Sequence, residues 1–511
     1  MLTLMRCRTP APDLSRLACG TAARLLGRSA TAIVAAAFAL NGCAWLPTGE
    51  PPPSRPDADA PAWVGACLYV FDRFDTLVAE GGVRDAGAYP LPSFPYLRSD
   101  RALAALGDTL PAERMPEWLA RLAERDATAR RYEAANYPQA QPALPPLDDL
   151  DGCRDRLLRE RLADHPARWS EVLAEATPPP VYWQWQRRVG VYRLTSRVVG
   201  AAVTRLHAEE TPYFEDAAAS WRGGLPLRDY IPVPAPALMQ IPVPRDALGL
   251  PAYGPSTLAR LFEAHAPIWR IVEGHSADHP GTPFWREDGT VAVDTTRPVM
   301  YTATGMTRID GVWLPQLLYS IWFPERVSEG PLDTSAGWLD GLTFRVTLGD
   351  DGRPLVYDIM HNCGCYHMFF TPEDWRLRVD APGETVWVPA AKPPLPAHTR
   401  IALTVASGTH YVRGITALPE PPSGRTMPLA DYDVLRSLPL PGDGRRSMFG
   451  PDGVVPGTER AERFLLWPMG VPSPGAMRQL GRHATAFVGE RHFDDPDLFE
   501  RLFEIPGIAA Q

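Results

Sequence analysis

The sequence predicts an α+β protein in which a helical N-terminal portion is followed by a β-rich antiparallel lobe. Between Asp100 and Pro178, apolar residues recur three and four positions apart, as in "RMPEWLARLAERDATARRYEA". That spacing is typical of helices with one buried face. From about Asp288 the apolar residues alternate or run in short stretches separated by Asp-Gly turns, which is typical of strands.

Three strand pairs are predicted in the β-rich lobe. Asp310-Gly311 and Asp351-Gly352 each separate two apolar stretches, and "TRIALTVASGTHYVRGITAL" supplies a third pair. Turns this short join antiparallel neighbours. The sequence therefore divides into a mainly helical region at residues 63–230, the β-rich lobe at 231–418, and a mixed C-terminal region at 419–511 that ends in a short helix in "PDLFERLFEI".

Residues 1–42 have the layout of an export signal. Five arginines and one acid precede an apolar stretch from Ala30 to Leu40, which is far shorter than the roughly twenty residues of a spanning helix. "LNGC" resembles the lipobox of bacterial lipoproteins. The resemblance implies that Cys43 receives lipid, becomes the mature N-terminus and anchors the protein in a membrane. An ordinary signal cut elsewhere, with Cys43 free, is the alternative.

The residues after Cys43 predict a tether and a location. Residues 43–62 are rich in proline and polar residues without an apolar period, so we expect an extended tether. At about 3 Å per residue, its sixteen residues from Leu46 to Pro61 could reach roughly 50 Å from the lipid. Ala44 stands where retention signals of the inner membrane usually have aspartate. We therefore expect an outer-membrane lipoprotein on the periplasmic face.

The charge of the chain excludes one class of partner. Removal of the signal takes away five arginines and one acid, which changes the net charge from −9 to −13. Proteins that bind nucleic acid carry basic patches that neutralise phosphates. We therefore expect no nucleic-acid partner.

Four cysteines are candidates for disulfides. Of the seven in the chain, two leave with the signal and Cys43 is the lipidation candidate. The periplasm is oxidising, so the remaining thiols favour disulfides, with three possible pairings. These cysteines are Cys67, Cys153, Cys363 and Cys365.

The stretch "HNCGCYH" at residues 361–367 is also a candidate metal site. On an extended strand its four His and Cys side chains would share one face, but the two histidine Cα atoms would lie about 20 Å apart, too far for one ion. A neighbouring pair could bind zinc or copper with a ligand from elsewhere, or Gly364 could fold the stretch into a loop. The candidate ligands are His361, Cys363, Cys365, His367, His410 and His483.

No reaction follows from the motifs. The chain has no G-x-S-x-G elbow, no H-E-x-x-H and no Walker loop, so the catalytic residues stay unassigned. The leading hypothesis is a non-enzymatic envelope lipoprotein that binds a partner or ligand through the β-rich lobe. The alternative is a periplasmic zinc- or copper-binding protein or metalloenzyme that uses residues 361–367.

Overall fold

The structure is a computed structural model that describes residues 60–215, 224–233, 240–393 and 399–507. The signal at 1–42, Cys43 and the tether up to residue 59 lie outside the described residues. Helices and strands are both abundant in the described part, which confirms the α+β class. The described residues belong to one compact unit.

Helices dominate residues 62–215, hereafter the helical portion. In its longest helix Trp118, Leu119 and Leu122 are buried, the spacing of a single buried face. Asp100 begins another helix, because its side chain accepts a 2.8 Å hydrogen bond from the backbone N–H of Leu103. The helices are α1 (Ala62–Glu80), α2 (Arg101–Gly107), α3 (Met115–Asn136), α4 (Leu147–Leu157), α5 (Pro166–Ala176), α6 (Gln184–Val189), α7 (Tyr192–Glu210), α8 (Pro212–Glu215), α9 (Pro255–His265), α10 (Arg463–Leu466) and α11 (Leu498–Leu502).

Most strands follow the helical portion. They are β1 (Tyr89–Leu91), β2 (Phe94–Ser99), β3 (Leu227–Val233), β4 (Ile268–Val272), β5 (Thr282–Trp285), β6 (Val291–Asp294), β7 (Met300–Ile309), β8 (Val312–Arg326), β9 (Gly337–Leu348), β10 (Pro354–His361), β11 (Met368–Phe370), β12 (Arg376–Leu377), β13 (Arg400–Val405), β14 (Val412–Leu418), β15 (Arg425–Asp431), β16 (Leu438–Pro439), β17 (Arg445–Arg446) and β18 (Phe503–Glu504). Ten of them form a large sheet in the order β11-β10-β9-β8-β7-β15-β3-β4-β13-β14.

The large sheet is mixed, so the prediction of an antiparallel lobe is only partly right. The neighbours from β7 to β11 are antiparallel, and they include the two pairs predicted at Asp-Gly turns. The third predicted pair, β13 with β14, is also antiparallel. However, β15 is parallel to both β3 and β7, and β13 is parallel to β4. These strands are distant in sequence, so no short turn fixes their direction.

A buried ion network joins α3 to β2. Glu133 accepts two hydrogen bonds of 2.9 Å from the guanidinium of Arg98, and Asp126 accepts a third, of 3.2 Å, from the same group. Arg130 binds Asp126 from the next turn of α3, at 2.9 Å. Because buried charges are tolerated only when they are paired, this network fixes the end of β2 against α3.

Cys67 on α1 and Cys153 on α4 form a disulfide, with Cα atoms 5.3 Å apart. This is one of the pairings that the sequence leaves open. Cys363 and Cys365 are free.

The apolar core of the large sheet lies on the face that carries Phe344, Tyr357 and Ile359, and α9 contributes Leu261 to it. Along the described ranges, none of the helices is both long and apolar enough to cross a membrane.

Candidate functional site

Residues 361–367 form a hairpin loop between β10 and β11 rather than an extended strand. The N–H of Gly364 donates to the carbonyl of His361 at 2.7 Å, and the N–H of His361 donates to the carbonyl of Cys365 at 3.0 Å. Gly364 has a φ of 95°, which favours glycine. The folded alternative of the sequence prediction is therefore the one observed, and the 20 Å span of the extended form does not apply.

The two histidines of this loop contact different carboxylates. Side chains alternate along a strand, so Asp358 and His361, three positions apart in β10, point to opposite faces of the sheet. His367 Nε2 lies 2.8 Å from Asp358, whereas His361 Nδ1 lies 3.3 Å from Asp340 on β9. The loop therefore does not present both imidazoles to one ion.

Asp340 binds two imidazoles in the interior. His410 Nδ1 lies 2.8 Å from one of its oxygens, and His361 Nδ1 lies near the other. All three residues are buried. Burial by itself would raise the pKa of Asp340, but the two histidines hold it well below its ordinary value. Asp340 is therefore an anion at neutral pH.

His410 links Asp340 to a second acid, Asp278. Its Nε2 lies 3.5 Å from Asp278 Oδ1, and its ring stacks on Phe323 with centroids 3.9 Å apart. Burial lowers the pKa of His410, but the interactions with the two carboxylates outweigh burial and raise it. The two carboxylates therefore favour the protonated form of the imidazole.

The backbone around Asp340 is strained. Leu339, Tyr366 and His410 all have positive φ angles, of 54°, 56° and 55°. A non-glycine residue in this region costs on the order of 1 kcal/mol, and such residues often occur in functional sites. Together with the buried charges, this strain makes the Asp340 cluster a candidate site.

Asp358 organises a second buried cluster. Arg345 donates two hydrogen bonds to it, at 2.9 and 2.7 Å, in addition to the contact from His367. Burial lowers the pKa of His367 to about 4. The neighbouring His483 lies 3.1 Å from the carbonyl of Asn362, and burial lowers its pKa to about 3. Both imidazoles are therefore neutral at pH 7.

The six predicted metal ligands are distributed over separate environments. His361 and His410 contact Asp340, His367 contacts Asp358, and His483 contacts a backbone carbonyl. Within the described part of the chain, no group of three or more His, Cys, Asp or Glu side chains is placed to hold a metal ion. The geometry therefore adds no support to the zinc or copper hypothesis.

Cys363 and Cys365 lie together in the loop. The backbone N–H of Cys365 donates to Cys363 Sγ at 3.3 Å. A hydrogen bond to Cys363, together with burial, raises the pKa of the Cys365 thiol well above its ordinary value. Cys363 is buried and Cys365 is half-buried.

A cleft of about 670 Å³ opens where the helical portion, the large sheet and residues 479–494 of the C-terminal region meet. This volume is in the range of small-molecule sites. Each part of the wall supplies both polar and apolar groups. Among the lining residues are Arg101 and Arg125 from the helical portion, Thr304 and Gln316 from β7 and β8, and Phe493 and Asp494 from the C-terminal region.

Four arginines and five acids line the cleft, and three of the arginines are paired within the protein. Arg125 lies 2.8 Å from Asp100, and Arg345 binds Asp358. Arg436 binds Asp85 through two hydrogen bonds. The remaining arginine, Arg101, has only long ion pairs among the described residues, with its Nε 3.6 Å from Asp494 and 3.9 Å from Asp495.

Arg101 and Asp494 are incompletely paired. Arg101 Nε lies 3.6 Å from Asp494 Oδ1, which is too long for a hydrogen bond. Both atoms are buried, and neither has a hydrogen-bond partner among the residues that the structure describes. Burial also raises the pKa of Asp494. Two residues that line the cleft therefore each carry a buried polar atom with an unmet hydrogen bond, a donor in Arg101 and an acceptor in Asp494.

Sequence reasoning missed the acids that organise these sites. Asp340 in "GWLDGLTF" and Asp358 in "LVYDIM" are single acids within apolar strands. That pattern was an available signal, because a buried carboxylate requires a partner. Arg101 and Asp494 carry no comparable signal, since they are far apart in sequence and meet only in the fold.

Comparisons with known proteins found no matching family, no matching curated protein and no matching solved structure.

Proposed function

We propose that this chain is an outer-membrane lipoprotein on the periplasmic face that binds a small ligand in the cleft. The sequence supports the anchoring, through the export signal, the "LNGC" stretch with Cys43 and the proline-rich tether. The observation that supports the binding is the pair Arg101 and Asp494, two residues that line a cleft of ligand size and each carry a buried polar atom without a hydrogen-bond partner in the described part of the chain.

The energetics favour a role for this pair. A buried polar atom without a hydrogen bond costs about 1–3 kcal/mol. A ligand that accepts from Arg101 Nε and donates to Asp494 Oδ1 would recover that free energy on binding. Buried polar atoms without a hydrogen-bond partner are therefore expected in a binding site, where a ligand can supply the missing hydrogen bonds, rather than in a purely structural position.

The walls also indicate the chemistry of the ligand. The charges in the cleft nearly balance, so the site does not favour a ligand with a large net charge. Phe262, Leu318 and Phe493 add apolar surface. The ligand that fits is a neutral or zwitterionic molecule with hydroxyl or amide groups and an apolar side, such as a saccharide or a short peptide.

Calorimetric titration tests the proposal. The full-length lipoprotein in detergent is titrated with mono- and disaccharides, free amino acids and dipeptides. We expect at least one of them to bind, and we expect Asp494→Asn or Arg101→Gln to weaken that binding about tenfold or more, because each removes a hydrogen bond that involves a charged group.

Two exposed positions provide matched controls. Asp443→Asn and Arg205→Gln make the same chemical changes away from the cleft, so the affinity should stay at the wild-type value. The proposal is contradicted if none of the probes binds the wild type, or if the cleft variants bind as tightly as the controls.

A further inference from the structure

We propose that Cys363 and Cys365 form a thiol–disulfide exchange site, whose substrate is a molecule that carries a disulfide bond. This activity goes beyond ligand binding in the cleft and does not depend on it. The loop that carries the two thiols supports the proposal through its shape, its neighbouring charge and its exposure.

The shape of the loop keeps the two sulphurs together. The hydrogen bond from the backbone N–H of Cys365 to Cys363 Sγ holds the first sulphur against the backbone of the second cysteine. The turn between them is fixed by packing, because a Cβ at Gly364 would lie 2.3 Å from the carbonyl oxygen of Ala484. An extended strand would hold cysteines two positions apart at about 6.6 Å between Cα atoms, longer than most disulfides allow.

A buried cation lies beside the thiols. The backbone N–H of Arg478 donates to the carbonyl of Asn362 at 2.8 Å, which places Arg478 next to the residue before Cys363. Its side chain is buried, and its Nε has no hydrogen-bond partner within the described ranges. Burial lowers the pKa of Arg478, and the two neighbouring cysteine sulphurs oppose that shift. A neighbouring arginine stabilises a thiolate, which is the reactive form in exchange.

The hydrogen bonds assign different roles to the two sulphurs. Cys363 Sγ accepts a hydrogen bond from the backbone N–H of Cys365, so a donor is in place at this sulphur when it attacks. Cys365 is half-buried, as is the neighbouring Tyr366, so a small disulfide can approach the pair from this side of the loop.

The exchange reaction needs no oxidant other than the substrate disulfide. The Cys363 thiolate attacks one sulphur of the substrate disulfide, forms a mixed disulfide and releases one thiol. The Cys365 sulphur then attacks Cys363 Sγ and releases the second thiol. The two cysteines are oxidised, the substrate disulfide is reduced, and the two thiol protons leave on the released thiols.

Glutathione serves as the probe. The full-length lipoprotein is equilibrated in mixtures of reduced and oxidised glutathione, free thiols are alkylated, and peptides are mapped by mass spectrometry. We expect Cys363 and Cys365 to close into a disulfide as oxidised glutathione increases and to reopen in reduced glutathione, with the bond between Cys67 and Cys153 unchanged.

Substitutions separate exchange from a structural role. Cys365→Ser should accumulate a glutathione adduct on Cys363, and Cys363→Ser should accumulate much less on Cys365. Arg478→Gln should slow closure about tenfold, whereas Arg478→Lys, which keeps the charge, should not.

The proposal is overturned if both thiols remain alkylatable in excess oxidised glutathione or if the pair cannot reopen. Equal adduct formation in the two serine variants would also overturn the assigned roles. If Arg478→Gln does not fold, Cys363→Ser and Cys365→Ser still test the roles assigned to the two sulphurs.

Discussion

At the scale of single residues, the fold of this protein depends on buried carboxylates that each hold several cations or imidazoles. Asp340 is the clearest case, because it contacts both His361 and His410 in the interior. Neutralising Asp340 would leave Asp278, at 3.5 Å, as the one carboxylate beside His410 among the described contacts. Removing one partner of a buried charge pair is far more costly than removing a surface pair.

We therefore expect Asp340→Asn to lower the free energy of unfolding by roughly 3–5 kcal/mol. Denaturation by guanidinium chloride at pH 7 measures the change. Asp443→Asn, at an exposed position, should change the stability by less than about 0.5 kcal/mol. Equal stability of the two variants would refute the role assigned to Asp340.

His483 should make the protein sensitive to mild acid. Its pKa is lowered from the model-peptide value of 6.5 to about 3, so protons bind the unfolded chain first as the pH falls. The stability from His483 is therefore present above pH 6.5 and is lost below it. Between pH 7.5 and pH 5 the expected loss from this residue is about 2 kcal/mol.

Denaturation of wild type and His483→Gln at both pH values tests this expectation. The variant cannot titrate at this position, so it should lose about 2 kcal/mol less than the wild type over the same interval. An equal loss in both proteins would show that His483 is solvated or charged in the folded state.

At the scale of elements, hairpins were predictable and distant strand pairs were not. The turns at Asp310-Gly311 and Asp351-Gly352 determine both the partner and the direction of their strands, and both hairpins are observed. The parallel pairing of β15 with β3 and β7 depends on how separate parts of the chain pack. No local pattern in the sequence encodes it.

The loop at residues 361–367 shows the same limit. Its histidines and cysteines predict a candidate site. However, its shape depends on Gly364 and on contact with Ala484, more than a hundred residues later. The spacing in the sequence therefore shows that the histidines and cysteines are close together. It does not show that His361 would contact Asp340 while His367 contacts Asp358.

Gly364→Ala tests the packing of this loop. The new Cβ would meet the carbonyl oxygen of Ala484 at 2.3 Å, in addition to the strain of a φ of 95°. Gly457→Ala is the matched control, because Gly457 has a φ of 82° and nothing within 4 Å of its Cβ position. We expect the control to cost about 1 kcal/mol and Gly364→Ala to cost clearly more. Thermal unfolding of both variants measures the difference, and equal costs would mean that the contact is not tight.

At the scale of the whole molecule, the proposed function combines a membrane anchor predicted from the sequence with a cleft that the fold creates. The cleft could not be predicted, because its walls come from the helical portion, the large sheet and the C-terminal region. The predicted anchor at Cys43 lies outside the described residues, and substitution of Cys43 tests it.

We expect Cys43→Ala to release the protein into the soluble periplasmic fraction or to block removal of the signal, because the lipid acceptor is lost. Cys19→Ala, within the predicted signal, should fractionate with membranes like the wild type. Membrane fractionation and intact mass check both results. A Cys43→Ala protein that stays in the membrane with unchanged mass of lipid would disprove the anchor.

The most direct measurement is a crystal structure of the lipoprotein with the tightest ligand from the titrations. The account predicts that the ligand lies in the cleft, with an acceptor about 2.7–3.2 Å from Arg101 Nε and a donor at a similar distance from Asp494 Oδ1. A ligand bound elsewhere, or one in the cleft that contacts neither atom, would contradict the proposal that this pair defines the binding site.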